Sequence, residues 1–239
     1  MKTNLKILAL IPARAGSKRV KNKNIRMLGG IPLIGYKIKA ALESNYISKI
    51  VISTDSKEIR AVAENFDINV PFLRPSEISG DNSTEFEFHQ HALKWLSENE
   101  NYVPDLIVNL YPTSPFVSSE TIDLAIKKII ENPDCDSLRS VVKCSEHPYK
   151  MWIEKDEKYL EPFIKSDDSN FHTFSYHLLP RVYIQNACIY ITKPETINRY
   201  KSTIGKKVLS FIMDDLESFD INSELDFMIA ETIASVKKD

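Results

Sequence analysis

The first 42 residues contain no aspartate and no glutamate, although they carry ten lysines and arginines. The rest of the chain holds 21 basic and 33 acidic residues, so a net charge of -2 conceals a strongly basic start. Such a block would suit a nucleic acid, but it lacks the interleaved aromatics that stack on single strands. A small polyanion such as a triphosphate fits it better. Cysteine is scarce: Cys135, Cys144 and Cys188 form no C-x-x-C pair and are odd in number. That excludes a disulfide framework and a zinc ribbon, and predicts a reducing, cytoplasmic setting. No apolar run reaches the ~18 residues of a membrane span. The apolar stretch around Lys2 and Lys6, ending at Ile11, is too short for a secretory leader, lacks a cleavage site and reads as a first strand. Neither G-x-x-x-x-G-K-[ST] nor G-x-G-x-x-G occurs, which excludes a P-loop and gives no support to classical dinucleotide binding.

What is present is an alternation. With 239 residues, 43% of them hydrophobic, the chain can bury the core of one α/β domain. Apolar runs at 5–11, 49–53, 70–73, 105–110, 137–143, 187–192 and 208–213 read as strands. Helical periodicity recurs at 31–44, 57–66, 83–98 and 118–130, and a last helix opens near Ser223. This rhythm predicts a Rossmann-like, mostly parallel sheet covered by helices on both faces. Between Cys144 and Pro180 the rhythm fails. That stretch carries Tyr149, Trp152, Tyr159, Phe163, Phe171, Phe174 and Tyr176, and reads as a protruding arm that buries its aromatics elsewhere.

Between the first strand and Asn24 runs P-A-R-A-G-S-K-R-V-K-N-K-N. Ala15, Gly16 and Ser17 let backbone N–H groups approach phosphate oxygens. Arg14 offers bidentate contacts, and Lys18 or Lys23 supplies a point charge. A solvated basic turn is the plainer alternative. At the other end, residues 213–226 carry six acids and no base. Asp220 and Asn222 stand two apart, and in an extended segment they face one side, where they could hold Mg²⁺. Ser223 with Asp226 fits a helix cap.

The wording of these segments resembles the acylneuraminate cytidylyltransferases, a family that includes CMP-sialic, CMP-legionaminic and CMP-pseudaminic acid synthetases. The resemblance rests on I-P-A-R-A-G-S-K-R and K-N-K-N-I-R, then I-V-I-S-T-D (50–55), L-R-P-S-E-I (73–78), P-T-S-P (112–115), H-P (147–148), N-A-C-I-Y-I (186–191) and F-D-I-N-S-E-L-D (219–226). It implies transfer of CMP from CTP to a sugar acid, with release of pyrophosphate and Mg²⁺ as cofactor. Arg14, Lys23 and Asn24 would contact the triphosphate. Leu10 and Ala13 would lie beside base and ribose, with Gly16 and Ser17 in the loop. Arg74, Asp81, Ser83 and Thr84 would complete the nucleotide pocket, although Asp81 or Ser83 could equally cap the next helix. Asp220 would be the metal ligand, with Asn222 where the family usually has Asp.

The acceptor side departs from that pattern. Tyr111 stands where sialic acid-using members have Gln, while Val117, Tyr176 and Ile184 stand where they have Arg. Lys150 and Arg181 are the remaining cations for a sugar carboxylate, and Tyr190 matches a family tyrosine. A different anionic acceptor, or nucleotide binding without catalysis, stays open as an alternative. Residues 144–180 match an arm that crosses to a partner subunit, so the resemblance implies a homodimer.

Overall fold

The computed structural model describes residues 4–165 and 170–236. Residues 1–3 of the opening segment and 166–169 of the expected arm lie outside the described residues. The first apolar run becomes β1 (Ile7–Pro12), buried almost throughout. A short hairpin follows, β2 (Met27–Leu28) with β3 (Ile31–Pro32), and then α1 (Leu33–Glu43). Next come β4 (Lys49–Ser53), α2 (Lys57–Glu64) and α3 (Glu85–Glu100). β5 (Leu106–Leu110), α4 (Ser119–Ile130) and β6 (Ser137–Lys143) follow. After the arm, with β7 (Trp152–Lys155) and β8 (Tyr159–Pro162), the chain returns as β9 (Tyr183–Thr192), α5 (Pro194–Tyr200), β10 (Val208–Ile212) and α6 (Glu224–Val236).

Six strands form one sheet in the order β10-β6-β9-β5-β1-β4. β9 runs antiparallel between β5 and β6, and the other pairings are parallel. The fold expectation therefore holds, with one reversed strand. One face packs Ile34, Ile38, Ile122 and Ile126 of α1 and α4. The other packs Phe88, Ala92 and Leu96 of α3 against Leu8, Leu10, Val51 and Ile107, with Ile197 of α5. A third cluster matters most for the site. Val20 of the basic loop, Leu28, Leu33, Phe116, Ile221 and Phe227 pack together, tying the start of the chain to its acidic end.

Residues 70–73 are not a strand. Pro71 removes a ladder donor, yet the alternation survives: Val70 enters one core and Phe72 the other, so the segment wraps the sheet edge beside β4. The arm divides in two. Near its base, Tyr149 stacks on Phe171 (4.7 Å between ring centres) and on His147 (5.3 Å), and Phe171 meets Phe174 at 5.2 Å. β7 and β8 form an antiparallel hairpin whose Trp152, Ile153, Tyr159 and Leu160 are exposed.

Candidate active site

The basic loop leaves β1 and is pinned at three points. The Ala13 N–H donates to the Ser53 carbonyl (2.9 Å), the Ala15 N–H to Asp55 Oδ1 (2.8 Å), and Asn24 Nδ2 to the Arg14 carbonyl (2.9 Å). Asn24, largely buried, holds the loop's shape through that bond and also lines the cleft beside it. The loop forms one wall of a cleft of about 530 Å³. Arg14, Gly16, Ser17, Lys18, Arg19 and Lys23 line it, and Arg74, Ser83, Glu85, Phe88 and Tyr111 face them. A Cβ built on Gly16 meets nothing within 4 Å, so the space above that backbone belongs to the cleft. The cations are only partly neutralised. Arg14 pairs with Asp81 at 3.0 Å and donates to the Gly80 carbonyl at 2.7 Å, while Lys18 also bonds Asp81. Lys18, and then Arg14, hold the Asp81 carboxyl below its usual range.

The facing wall begins with Arg74. It is buried, with Nε on Ser53 Oγ (3.0 Å) and Nη2 on the Ser53 carbonyl (2.5 Å). Burial lowers its guanidinium to about 10. Its plane lies 4.9 Å from the Phe88 ring centre. Thr84, rather than Asp81 or Ser83, caps α3. Its Oγ1 accepts from the Glu87 N–H (3.4 Å), and Glu87 accepts from the Thr84 N–H (2.6 Å), a full capping box. Ser83 is thereby left to line the cleft, whereas Thr84 does not. Leu10 and Ala13 have fully buried side chains in the two cores.

The acidic end closes the cleft from the far terminus. Lys23 Nζ donates to the Ile221 carbonyl (2.8 Å) across 198 residues. Burial lowers the Lys23 ammonium, and the Asp220 charge opposes that shift. Asp220 Oδ2 accepts from Asn222 Nδ2 at 2.6 Å, while its Oδ1 is buried with no hydrogen-bond partner. Asp226 Oδ2 accepts from the Asn222 and Ser223 N–H groups (2.9 and 2.7 Å) and so starts α6, as the sequence predicted. Asn222 lines the cleft.

The acceptor candidates separate. Tyr111 lines the cleft, with its hydroxyl on Glu85 Oε1. Tyr190 is buried. Its hydroxyl accepts from the Ala187 N–H (3.0 Å), and its ring meets Tyr111 edge-on at 5.8 Å. Lys150 lies on the arm, donating to the His172 carbonyl (3.1 Å) and sitting 5.1 Å from the Tyr176 ring centre. Arg181 is exposed. Neither of those cations lines the cleft.

The structure adds residues that sequence patterns did not single out. Glu85 follows the cap and enters the cleft. Lys37, on the inner face of α1, is fully buried, and its Nζ has no hydrogen-bond partner. Burial lowers it to about 8 against the opposing pull of Cys188, Glu217 and Asp220. In the unfolded chain it titrates near 10.5. The unfolded state therefore binds more protons between those values, and stability rises with pH across that window. The gain is at most about 3 kcal/mol. Lys37→Met is expected to raise stability at pH 7 and to flatten the curve from pH 8 to 10.5. Denaturant melts across that range check it, and an unchanged slope contradicts the assignment.

A twisted α/β sheet with a cationic loop after its first strand, facing a cleft at the strand ends, defines a Rossmann-like nucleotide-binding protein. The model of the cytidylyltransferase family matches residues 8–212, and the chain belongs to that family. It is 36% identical to the post-translational flagellin modification protein B of Campylobacter coli, over 97% of this chain and 96% of that one. It shares the same identity and coverage with the CMP-N,N'-diacetyllegionaminic acid synthase of Campylobacter jejuni. The N-acylneuraminate cytidylyltransferase of Escherichia coli is 35% identical over 97% of this chain but only 53% of its own length. Among solved structures, a CMP:2-keto-3-deoxy-manno-octonic acid synthetase complexed with CTP superposes with a TM-score of 0.70. It covers 97% of this chain and 99% of that one at 12% identity, a likeness of fold.

Proposed function

We propose that this chain transfers CMP from CTP to a hydroxyl of a sugar acid of the nonulosonic type, releasing pyrophosphate. The observation that carries the reading is the family match across 8–212, joined to full-length relatives named as CMP-sugar acid synthases. The cleft supports it chemically. Arg14, Lys18, Arg19 and Lys23 gather four cations beside open backbone at Gly16, which suits a triphosphate. The attacking hydroxyl displaces pyrophosphate at the α-phosphorus. Arg14 and Lys23 stabilise the charge that develops on the phosphate oxygens.

Mg²⁺ fits the acidic end in one respect. Asp220 Oδ1 is a buried carboxylate oxygen with lone pairs left over, and Mg²⁺ commonly takes only one or two carboxylates alongside phosphates and water. Among the described residues no group of three or more His, Cys, Asp or Glu could hold a metal by itself. Asp220 would hold the ion, with the Asn222 carbonyl as a second, uncharged ligand. Bound there, Mg²⁺ would neutralise phosphate charge.

The same reading has the chain act as a homodimer of single nucleotidyltransferase domains. The exposed Trp152, Ile153, Tyr159, Leu160 and Phe163 of the arm support it, because aromatics left in solvent mark contact surfaces. Lys150, held within the arm, would then reach the acceptor of the partner's cleft. Leu160→Asp is expected to shift the protein from dimer to monomer in light scattering and to raise the acceptor KM. A fully active wild-type monomer would return the arm to its own subunit. A second reading, transfer to another anionic acceptor, is favoured by Tyr111, Val117 and Ile184 at positions where sialic acid-using members have Gln and Arg. A pyrophosphate-release assay over nonulosonic acids, 3-deoxy sugar acids and phosphorylated acceptors separates the two.

A further inference from the structure

We propose that Lys37 is the buried counter-charge of Asp220 and keeps the acidic end closed to a free divalent cation, so that the metal enters only together with the triphosphate. Lys37 is a positioning residue: it acts through Asp220, and only if Asp220 is the metal ligand proposed above.

The inner stripe of α1 runs along the acidic end. Leu33 packs in the third core cluster with Phe116 and with Ile221, the neighbour of Asp220. Lys37 stands one turn further on, and residues four apart share a helix face. A lysine at such a place usually runs its stem out to water. This one is fully buried. Its Nζ has no hydrogen-bond partner, and neither has Asp220 Oδ1. Three titratable groups act on the ammonium: Cys188, Glu217 and Asp220. Burial pushes the Cys188 thiol up to about 11, so it is neutral near pH 7, and its Sγ donates to the Asn186 carbonyl at 3.2 Å. Glu217 is already engaged, with Oε1 on the Ser118 N–H (2.9 Å) and Oε2 on the Thr121 hydroxyl. Of the three, Asp220 keeps a buried oxygen with nothing on it.

Asp220 therefore lies between two lysines. Lys23 approaches from the cleft, fixed by its bond to the Ile221 carbonyl (2.8 Å), and feels the Asp220 charge. Lys37 approaches from the core. The acids that follow are engaged too: Glu224 pairs with Arg26 (2.5 Å), and Asp226 accepts from the Asn222 and Ser223 N–H groups. Asn222 adds an oxygen but no charge. The carboxylates of Glu217 and Asp220 thus face the ammonium groups of Lys23 and Lys37, and the charges cancel. Mg²⁺ gives up its water reluctantly and has to be drawn by negative charge. A site with no net charge offers it little. Phosphates bound at the basic loop would occupy Lys23, reverse the sign of the site and supply the missing oxygens. Lys37 has no phosphate within reach, so its charge stays on Asp220 throughout and sets how weakly the empty site attracts metal.

The test is Mn²⁺ binding to the full chain, read by electron paramagnetic resonance first without nucleotide and then with CTP and no acceptor. Melting temperature is recorded for each variant. Wild-type protein alone should leave millimolar Mn²⁺ free, and should hold it once CTP is added. Lys37→Met keeps the bulk and removes the charge. Without nucleotide it should bind Mn²⁺ at least about tenfold more tightly than wild type. Adding Asp220→Asn to Lys37→Met should abolish that gain. A merely structural Lys37 would move the melt and leave metal binding where it was. Wild-type protein that binds Mn²⁺ equally with and without CTP overturns the inference, as does Lys37→Met within twofold of wild type. A gain that survives Asp220→Asn puts the metal elsewhere and overturns it as well. CTP that binds with no Mn²⁺ held at the protein, in wild type and Lys37→Met alike, overturns the reading of Asp220 as a metal ligand.

Discussion

Arg14→Ala and Lys23→Ala are each expected to lower kcat/KM for CTP by about ten- to a hundredfold, because a charge-assisted phosphate contact contributes roughly 1.5–3 kcal/mol. Stability should move far less. Arg14 loses a half-exposed pair with Asp81, and such pairs contribute about 0–1 kcal/mol. Lys23 loses its bond to the Ile221 carbonyl, about 1 kcal/mol for a single net hydrogen bond. The two variants should also differ in kind. Without Arg14, Asp81 keeps Lys18 as partner, so the loop stays tied to the segment before α3. Without Lys23, the link between the loop and the acidic end is weakened, and the third core cluster alone joins them. Steady-state kinetics beside thermal melts decide the matter. Activity retained within a few-fold in both variants removes the loop as a triphosphate cradle.

The larger effect is expected at Asp220. Asp220→Asn should reduce Mg²⁺-dependent turnover about a hundred- to a thousandfold, the usual scale for removing one electrostatic contact to the transition state. The near-ultraviolet spectrum should still report a folded protein. Asn222→Asp acts in the opposite direction. It places a second carboxylate beside Asp220 and withdraws the Nδ2 donor that now occupies Asp220 Oδ2. The Mg²⁺ concentration for half-maximal activity should fall several-fold. Titrations of both variants check this, and identical Mg²⁺ curves for wild type and both variants would take the acidic end out of the reaction.

Much of this site was legible in residue order because the cationic side of the cleft is local. The basic loop is one unbroken segment after one strand, and Arg14, Gly16, Ser17 and Lys23 all line the cleft. The acidic end is a second short segment, with its cap at Ser223 and Asp226. What periodicity missed is what tertiary packing assembles. Glu85 accepts hydrogen bonds from Arg139, 54 residues away, and from Thr203, further still. Nothing in the local pattern of any one of them marks a shared network. Nothing in the sequence marks Lys37, which is fully buried once α1 is docked with that face inward. β9 reads as one more apolar run, and only its pairing shows that it is antiparallel. The side chains of Leu10 and Ala13 fill the cores, so only their backbone is left for the contact that the resemblance implies. Thr84 caps α3, a role the sequence had divided between Asp81 and Ser83.

The acceptor side is the least local part, and the arm explains why. Lys150 and Arg181 are set by an element whose hairpin leaves its apolar residues in solvent. If a second subunit covers that hairpin, those cations find their target across an interface that no single chain contains.

The central claim is tested most directly by the products. Wild-type protein incubated with CTP, Mg²⁺ and a diacetylated nonulosonic acid should yield a CMP-sugar and pyrophosphate in equal amounts, read together by phosphorus NMR and mass spectrometry. CTP left intact with every acid offered, or pyrophosphate formed without a CMP-linked product, would contradict the account.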